Sequence, residues 1–157
     1  MKIRRFREGD EIPLLHVFFS SVHGIASRDY TPEQIAAWAP DDMDKQKWTR
    51  QIGQLQPFVV EIEGKIAGYA DVQSDGYIDH FYVSGNFPRQ GVGTLLMEGI
   101  HQEARRLGLS ELTSNVSRTA EPFFLRHGFH IVRQGFPVCR GVTLQNALMR
   151  KALAVED

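Results

Sequence analysis

Between residues 58 and 107 the chain changes hydrophobic period from strand to helix, and this narrows its possible folds more than any other feature. Phe58-Val59-Val60-Glu61-Ile62, a turn at Glu63-Gly64, and Ile66 to Val72 follow the pattern of a β-hairpin. Ser74-Asp75-Gly76 marks a second turn, and Tyr77 to Val83 extends as a third strand. Three strands in direct succession predict antiparallel pairing, not the strand–helix alternation of a doubly wound sheet. A glycine-bearing loop, Gly85 to Gly93, then gives way to helical spacing. Val92, Leu95, Leu96, Ile100, Ala104 and Leu107 share one face, and Gly108 closes it.

The flanking segments supply the rest of a mixed architecture. Lys2 to Phe6 reads as a strand. Asp10 is placed to cap a helix with Leu14, Leu15, Phe18, Phe19 and Val22 on one face, ending at Gly24. Thr31-Pro32-Glu33-Gln34 starts a second helix with a capping hydroxyl, a first-turn proline and a reciprocal glutamine. It runs through Trp38 and stops before Pro40. A more polar helix follows, about Asp44 to Ile52. Beyond the central helix come a strand from Glu111 to Val116 and a short helix ended by Gly128. Thr119 is its expected cap, because Pro122 then falls at N3, where a missing N–H costs nothing. Strands at His130 to Phe136 and Val142 to Leu153 complete an α/β (α+β) chain. The expectation is a single domain over residues 1–157, with a mixed central sheet of about seven strands and helices on both faces.

Composition removes several functions. Lys and Arg total 18 against 19 Asp and Glu, a net charge of −1, so there is no basic surplus for neutralising phosphates and no nucleic-acid partner is expected. Cys139 is the one cysteine, which excludes an intrachain disulfide and a Cys-based zinc site. His16, His23, His80, His101, His127 and His130 show no metal-ligand spacing within one element, so no metal is expected. No apolar run reaches the ~18–20 residues that cross a bilayer. Met1 to Phe6 lacks the apolar stretch of a signal peptide. A cytoplasmic protein with no membrane partner is expected.

Pro88-Arg89-Gln90-Gly91-Val92-Gly93-Thr94 admits two readings. One is a turn whose glycines allow close helix packing. The other is a cradle, in which glycines bring the backbone close to a ligand and the first N–H groups of the helix, with its dipole, receive a phosphate. A nucleotide P-loop is excluded, since no Gly-Lys-Ser/Thr is present. A dinucleotide fingerprint is excluded too, since Leu96 stands where a third glycine is needed and the preceding strands are antiparallel. If a cradle, it serves a phosphate-bearing cofactor other than ATP or NAD.

At this point the chain resembles a known family. Tyr77 to Val83, the loop ending Gln90-Gly91-Val92-Gly93, and Ala120-Glu121-Pro122-Phe123-Phe124-Leu125-Arg126-His127-Gly128-Phe129 are similar to the core of GNAT-superfamily N-acetyltransferases. Ala26-Ser27, Tyr30, Gln34-Ile35, Ala37-Trp38-Ala39 and Cys139-Arg140-Gly141 are similar, more narrowly, to the bacterial YafP-like subgroup. The resemblance implies acetyl-CoA as co-substrate and an amine acceptor attacking directly in a ternary complex. The default acceptor is a small, partly aromatic amine. A non-catalytic acyl-CoA sensor on the same fold is the rival, and a monomer and a homodimer are both compatible.

The resemblance also implies roles. Arg89, Gln90, Gly91, Val92, Gly93 and Thr94 would hold the pyrophosphate, and Pro88 removes one backbone donor at the loop's opening. Phe81, Tyr82 and Val83 lie on the strand whose backbone meets the pantetheine amides and the thioester oxygen. Ser117 would reach the pantetheine arm, or satisfy local backbone instead. Asp79 is the candidate base, or else a solvated strand carboxylate. Phe124 replaces a Tyr that protonates the leaving thiolate in many members, and has no proton to give. Tyr30 and Trp38 would wall the acceptor site, or belong to the core. Cys139 is a surrogate acid, a pocket residue or a buried structural thiol.

Overall fold

The strand expected from Tyr77 to Val83 is broken in two, and the break organises the molecule. In the computed structural model, which describes residues 1–154, β1 spans Lys2–Arg5, β2 Phe58–Ile62, β3 Lys65–Ala70, β4 Tyr77–Ile78 and β5 Phe81–Val83. Then come β6 (Glu111–Ser117), β7 (His130–Gly135), β8 (Val138–Cys139), β9 (Val142–Thr143) and β10 (Asn146–Ala152). The helices are α1 (Glu11–Gly24), α2 (Pro32–Trp38), α3 (Lys45–Leu55), α4 (Val92–Leu107) and α5 (Glu121–Arg126), with a 3-10 turn at Ala26–Arg28. β5 continues the antiparallel meander, with Phe81 opposite Ala70 and Val83 opposite Gly68. β4 instead pairs in parallel with β6, Tyr77 opposite Thr113 and Ile78 opposite Ser114. Two four-stranded sheets result, ordered β1-β2-β3-β5 and β4-β6-β10-β7. If β4 and β5 are taken as one broken strand, the expected seven strands are all present. The β8–β9 hairpin is additional, and it splits the strand expected over Val142 to Leu153.

Helices cover both faces, because adjacent strand residues point opposite ways. Val59 and Tyr69 pack toward α1 and α3 with Leu14, Phe18, Val22, Trp48 and Ile52. Val60, Ala67 and Ala70 face α4, where Leu96, Met97 and Ile100 join Leu112 and Met149 in a second core.

Local capping signals are partly realised. The box at α2 forms, with Gln34 N–H donating to Thr31 Oγ1 (3.2 Å) and Thr31 N–H to Gln34 Oε1 (2.9 Å). Asp44 caps α3 through Lys47 N–H. Asp10 does not cap α1: its buried carboxylate accepts from the Arg4 guanidinium at 2.8 and 3.0 Å and from Arg7 N–H at 2.9 Å. A charged partner outcompetes a neutral cap. Thr119 does not cap α5 either. Ala120 holds that position, and the Thr119 hydroxyl donates to Asp29.

Candidate active site

Beyond Ile78 the paired β4 and β6 give way to a gap, because β5 follows β3 instead. Two cavities open along it and share Trp38, Phe81, Tyr82, Ser117 and Ala120. The first, about 190 Å³, is walled chiefly by apolar groups that include Val22, Ile25, Val83 and Phe123, and it reaches Gly93 at the start of α4. The second, about 160 Å³, holds Asp79, Asn115, Gln145 and Asn146 beside Tyr30 and Leu144. Together they form a passage from the α4 N-terminus to a polar chamber.

The backbone of β5 faces this passage in alternation. On the β3 side, His80 C=O accepts from Asp71 N–H (3.1 Å) and Ser84 N–H donates to Ala67 C=O (2.8 Å). Even-numbered residues therefore bond to β3, and the N–H and C=O of Phe81 and Val83 point to the gap. Tyr82, expected as a backbone contact, has its main chain turned to β3. It contributes its ring to the wall, beside Trp38 (centroids 6.3 Å apart).

The glycine loop ends where α4 begins. Gly91 sits at φ +79°, in the left-handed region that glycine enters without strain, and Arg89 reaches φ +59°. The first intrahelical bond runs from Leu95 N–H to Gly91 C=O (3.0 Å), so the N–H groups of Val92, Gly93 and Thr94 precede it. α4 has 16 residues, enough for a full dipole at this end. A Cβ on Gly93 would lie 3.1 Å from the Phe123 ring, so a larger residue here would press that ring aside. The side chains of Arg89 and Gln90 are exposed.

Asp79 is exposed at the chamber wall, and no protein group among the described residues donates to its carboxylate. Phe124 is buried, lines the same chamber and packs edge-on against Phe81 and Phe129. Ser117 lines both cavities, but its Oγ accepts from Ala120 N–H (3.1 Å), at the corner leading to α5. The Tyr30 hydroxyl donates to Gln145 C=O and accepts from Arg118 N–H, and burial pushes its pKa up. Its proton is already engaged, and its ring packs edge-on against Trp38. Cys139 is not brought to either cavity. Its Sγ donates to Ala37 C=O (3.3 Å), docking the β8–β9 hairpin on α2. No metal-ligand cluster is found among the described residues.

The sequence reading missed Asp71, Gln73, Asn115, Gln145 and Asn146. Asp71 carried a usable signal, since a charge inside the apolar strand Ile66 to Val72 calls for a partner. It is 1% exposed, and burial pushes its carboxyl up to about 6. Asn115, Gln145 and Asn146 lie at positions whose convergence depends on pairing between distant strands, whereas Gln73 stands two residues beyond Asp71 and bonds it directly.

Comparison with known proteins agrees with this geometry. A family model described as an acetyltransferase (GNAT) domain matches residues 26–150. An N-acetyltransferase of Escherichia coli K12, YafP, itself uncharacterized, is 34% identical over 150 residues, covering 96% of this chain and 95% of its own. A GCN5-related N-acetyltransferase structure from Rhodopseudomonas palustris superposes with a TM-score of 0.92 at 26% identity, over 97% of this chain and 95% of that one. A putative acetyltransferase of Salmonella typhimurium, solved with acetyl-CoA, shares the fold at a TM-score of 0.70 and 20% identity, over 100% and 96% of the two chains. The similarity first visible around Gln90-Gly91-Val92-Gly93 thus extends along almost the whole chain, which belongs to the GNAT family of acetyltransferases.

Proposed function

We propose that this protein transfers the acetyl group of acetyl-CoA to the amine of a small molecule, by direct attack in a ternary complex. The observation that carries the reading is the passage itself. A helix N-terminus with free N–H groups stands at one end, outward-facing strand amides line the middle, and a carboxylate stands at the far end. Acetyl-CoA, when bound, supplies an activated acyl group on a thiol leaving group. The N–H groups of Gln90 to Thr94 suit its pyrophosphate, Pro88 contributing none. Phe81 and Val83 offer N–H and C=O groups to the pantetheine amides along the apolar cavity, where the Ser117 hydroxyl adds a polar contact. A strand N–H aimed at the thioester oxygen stabilises the charge that develops there, an effect of ~3–4 kcal/mol for one such donor.

Asp79 takes the ammonium proton of the acceptor, directly or through water, which frees the lone pair for attack. No lysine, arginine or histidine lines the chamber. Its one carboxylate and its aromatic wall of Tyr30, Trp38 and Tyr82 suit a small amine on an apolar or aromatic body, without acidic groups. Phe124 donates no proton, Tyr30 is engaged and Cys139 is remote. A thiol of pKa ~8.5 leaves as thiolate without an acid, at some loss of rate. The reading takes the chain as one cytoplasmic domain, with no metal, acting as a monomer or homodimer.

The test is thiol release from acetyl-CoA against a panel of amines, with the acetylated product identified by mass. Turnover with arylalkylamines and none with acidic amines is expected. Acetyl-CoA binding without acetylation of any amine would make the protein an acyl-CoA sensor.

A further inference from the structure

A strand that changes sheets must leave backbone groups without a strand partner, and between Ile78 and Phe81 a side chain takes them up. Asp71 Oδ1 accepts the N–H groups of both Asp79 (3.0 Å) and His80 (2.6 Å). Its Oδ2 accepts from Gln73 Nε2 (2.6 Å), which also donates to Leu55 C=O at the end of α3 (3.3 Å). The His80 ring is held in turn by the Tyr69 hydroxyl at Nδ1 (2.9 Å) and packs edge-on against Trp48 and Tyr82. The break is therefore clamped from both sides.

We propose that Asp71 is a positioning residue for acetyl transfer. By gripping the two amides at the break, its carboxylate fixes where β4 and β5 part, and so where the Asp79 carboxylate and the Phe81 N–H stand relative to each other. The inference rests on the proposed transfer reaction. Stability alone does not account for a carboxylate here. The titratable groups about it are Asp79, His80 and Tyr69, none of them a cation: Asp79 carries like charge, and burial lowers the His80 pKa and raises that of Tyr69. A buried charge without a cation costs stability, whereas a strand bonded to its neighbour throughout would need none. What the carboxylate provides is one oxygen that bridges two consecutive N–H groups, a geometry no β-ladder offers.

The test compares Asp71→Ala with Asp71→Asn, after wild-type turnover has been established. Asp71→Ala removes the acceptor from both amides and should lower kcat by ~10–100-fold, the scale on which small misplacements of reacting groups act. Its acetyl-CoA dissociation constant should change much less than kcat, because the N–H groups of Val92 to Thr94 at the pyrophosphate end are untouched. Asp71→Asn keeps an accepting oxygen and should recover most of the lost kcat. Amide hydrogen exchange at Asp79 and His80 should quicken in the alanine variant and not in the asparagine one. Wild-type kcat in folded Asp71→Ala overturns the proposal, and so does an equal loss in both variants. If Asp71→Ala does not fold, Gln73→Leu replaces it. This variant frees Oδ2 alone and should lower kcat by roughly three- to tenfold; an unchanged kcat overturns the proposal. A wild type that binds acetyl-CoA and acetylates nothing refutes the transfer reaction first, and this role with it.

Discussion

Neutralising Asp71 should stabilise the fold at neutral pH and weaken it slightly on the acid side. Burial pushes this carboxyl up to about 6 from 3.8, against the pull of the His80 N–H and Gln73 and with the help of nearby Asp79. A folded state that holds the proton more tightly than the unfolded chain loses stability as pH rises from about 4 to 6. Below that window both states are protonated and the group contributes nothing. Above it the whole penalty applies, about 3 kcal/mol at 1.36 kcal/mol per pH unit. Asp71→Asn abolishes the penalty. It obliges Gln73 to turn its amide and give up the long bond to Leu55 C=O, a loss of about 1 kcal/mol. The variant should therefore be about 2 kcal/mol more stable at pH ~7, a rise of ~4–8 °C in Tm for a chain of this size. Urea unfolding of both proteins from pH ~4 to ~7.5 at fixed ionic strength measures the difference. Asp10 (burial notwithstanding), Glu61 and Glu103 are held low by arginine partners in both proteins and cancel. A stability difference that does not change with pH would refute the reasoning, because Asp71 would then titrate alike in the folded and unfolded chain.

Asp79→Asn should reduce turnover by ~10²–10⁴-fold near neutral pH and partly recover as free amine becomes abundant; undiminished turnover would place the carboxylate outside the chemistry. Acetyl-CoA at about 100 times its dissociation constant should add about 2.7 kcal/mol of stability, read as a Tm shift. A shift with ATP or NAD and none with CoA would overturn the cofactor. Gly91→Val should lower the unliganded stability by ~1–2 kcal/mol as well as removing that shift, since Gly91 stands at φ +79°; an unaltered melt would mean that the turn relaxes freely. Tyr30→Phe leaves Arg118 N–H and Gln145 C=O without their partner and should lose ~1–3 kcal/mol in urea unfolding. No loss would mean that water substitutes for the hydroxyl.

What the sequence determined by itself is local. The box at Thr31 and Gln34, the apolar face of α4 and the glycines that start it depend on residues within a turn or two of each other. Their geometry follows from hydrogen-bonding reach and side-chain period, with no distant partner. The glycines of the loop were legible for the same reason, with a plain turn and a cradle both left open, and the missing donor at Phe124 was visible only through the family resemblance. The tertiary structure alone decided where the strand over Tyr77 to Val83 breaks, because β3 and β6 compete for it and Asp71 reaches across to hold the break. It also turned Asp10 to Arg4, Thr119 to Asp29 and Cys139 to Ala37, each a partner that capping and exposure patterns cannot name. A strand residue's pattern tells which face it presents, but not which edge will bond it. The passage exists because two edges that could have paired, β5 and β6, were instead held apart, and that outcome depends on contacts between residues far apart in the chain.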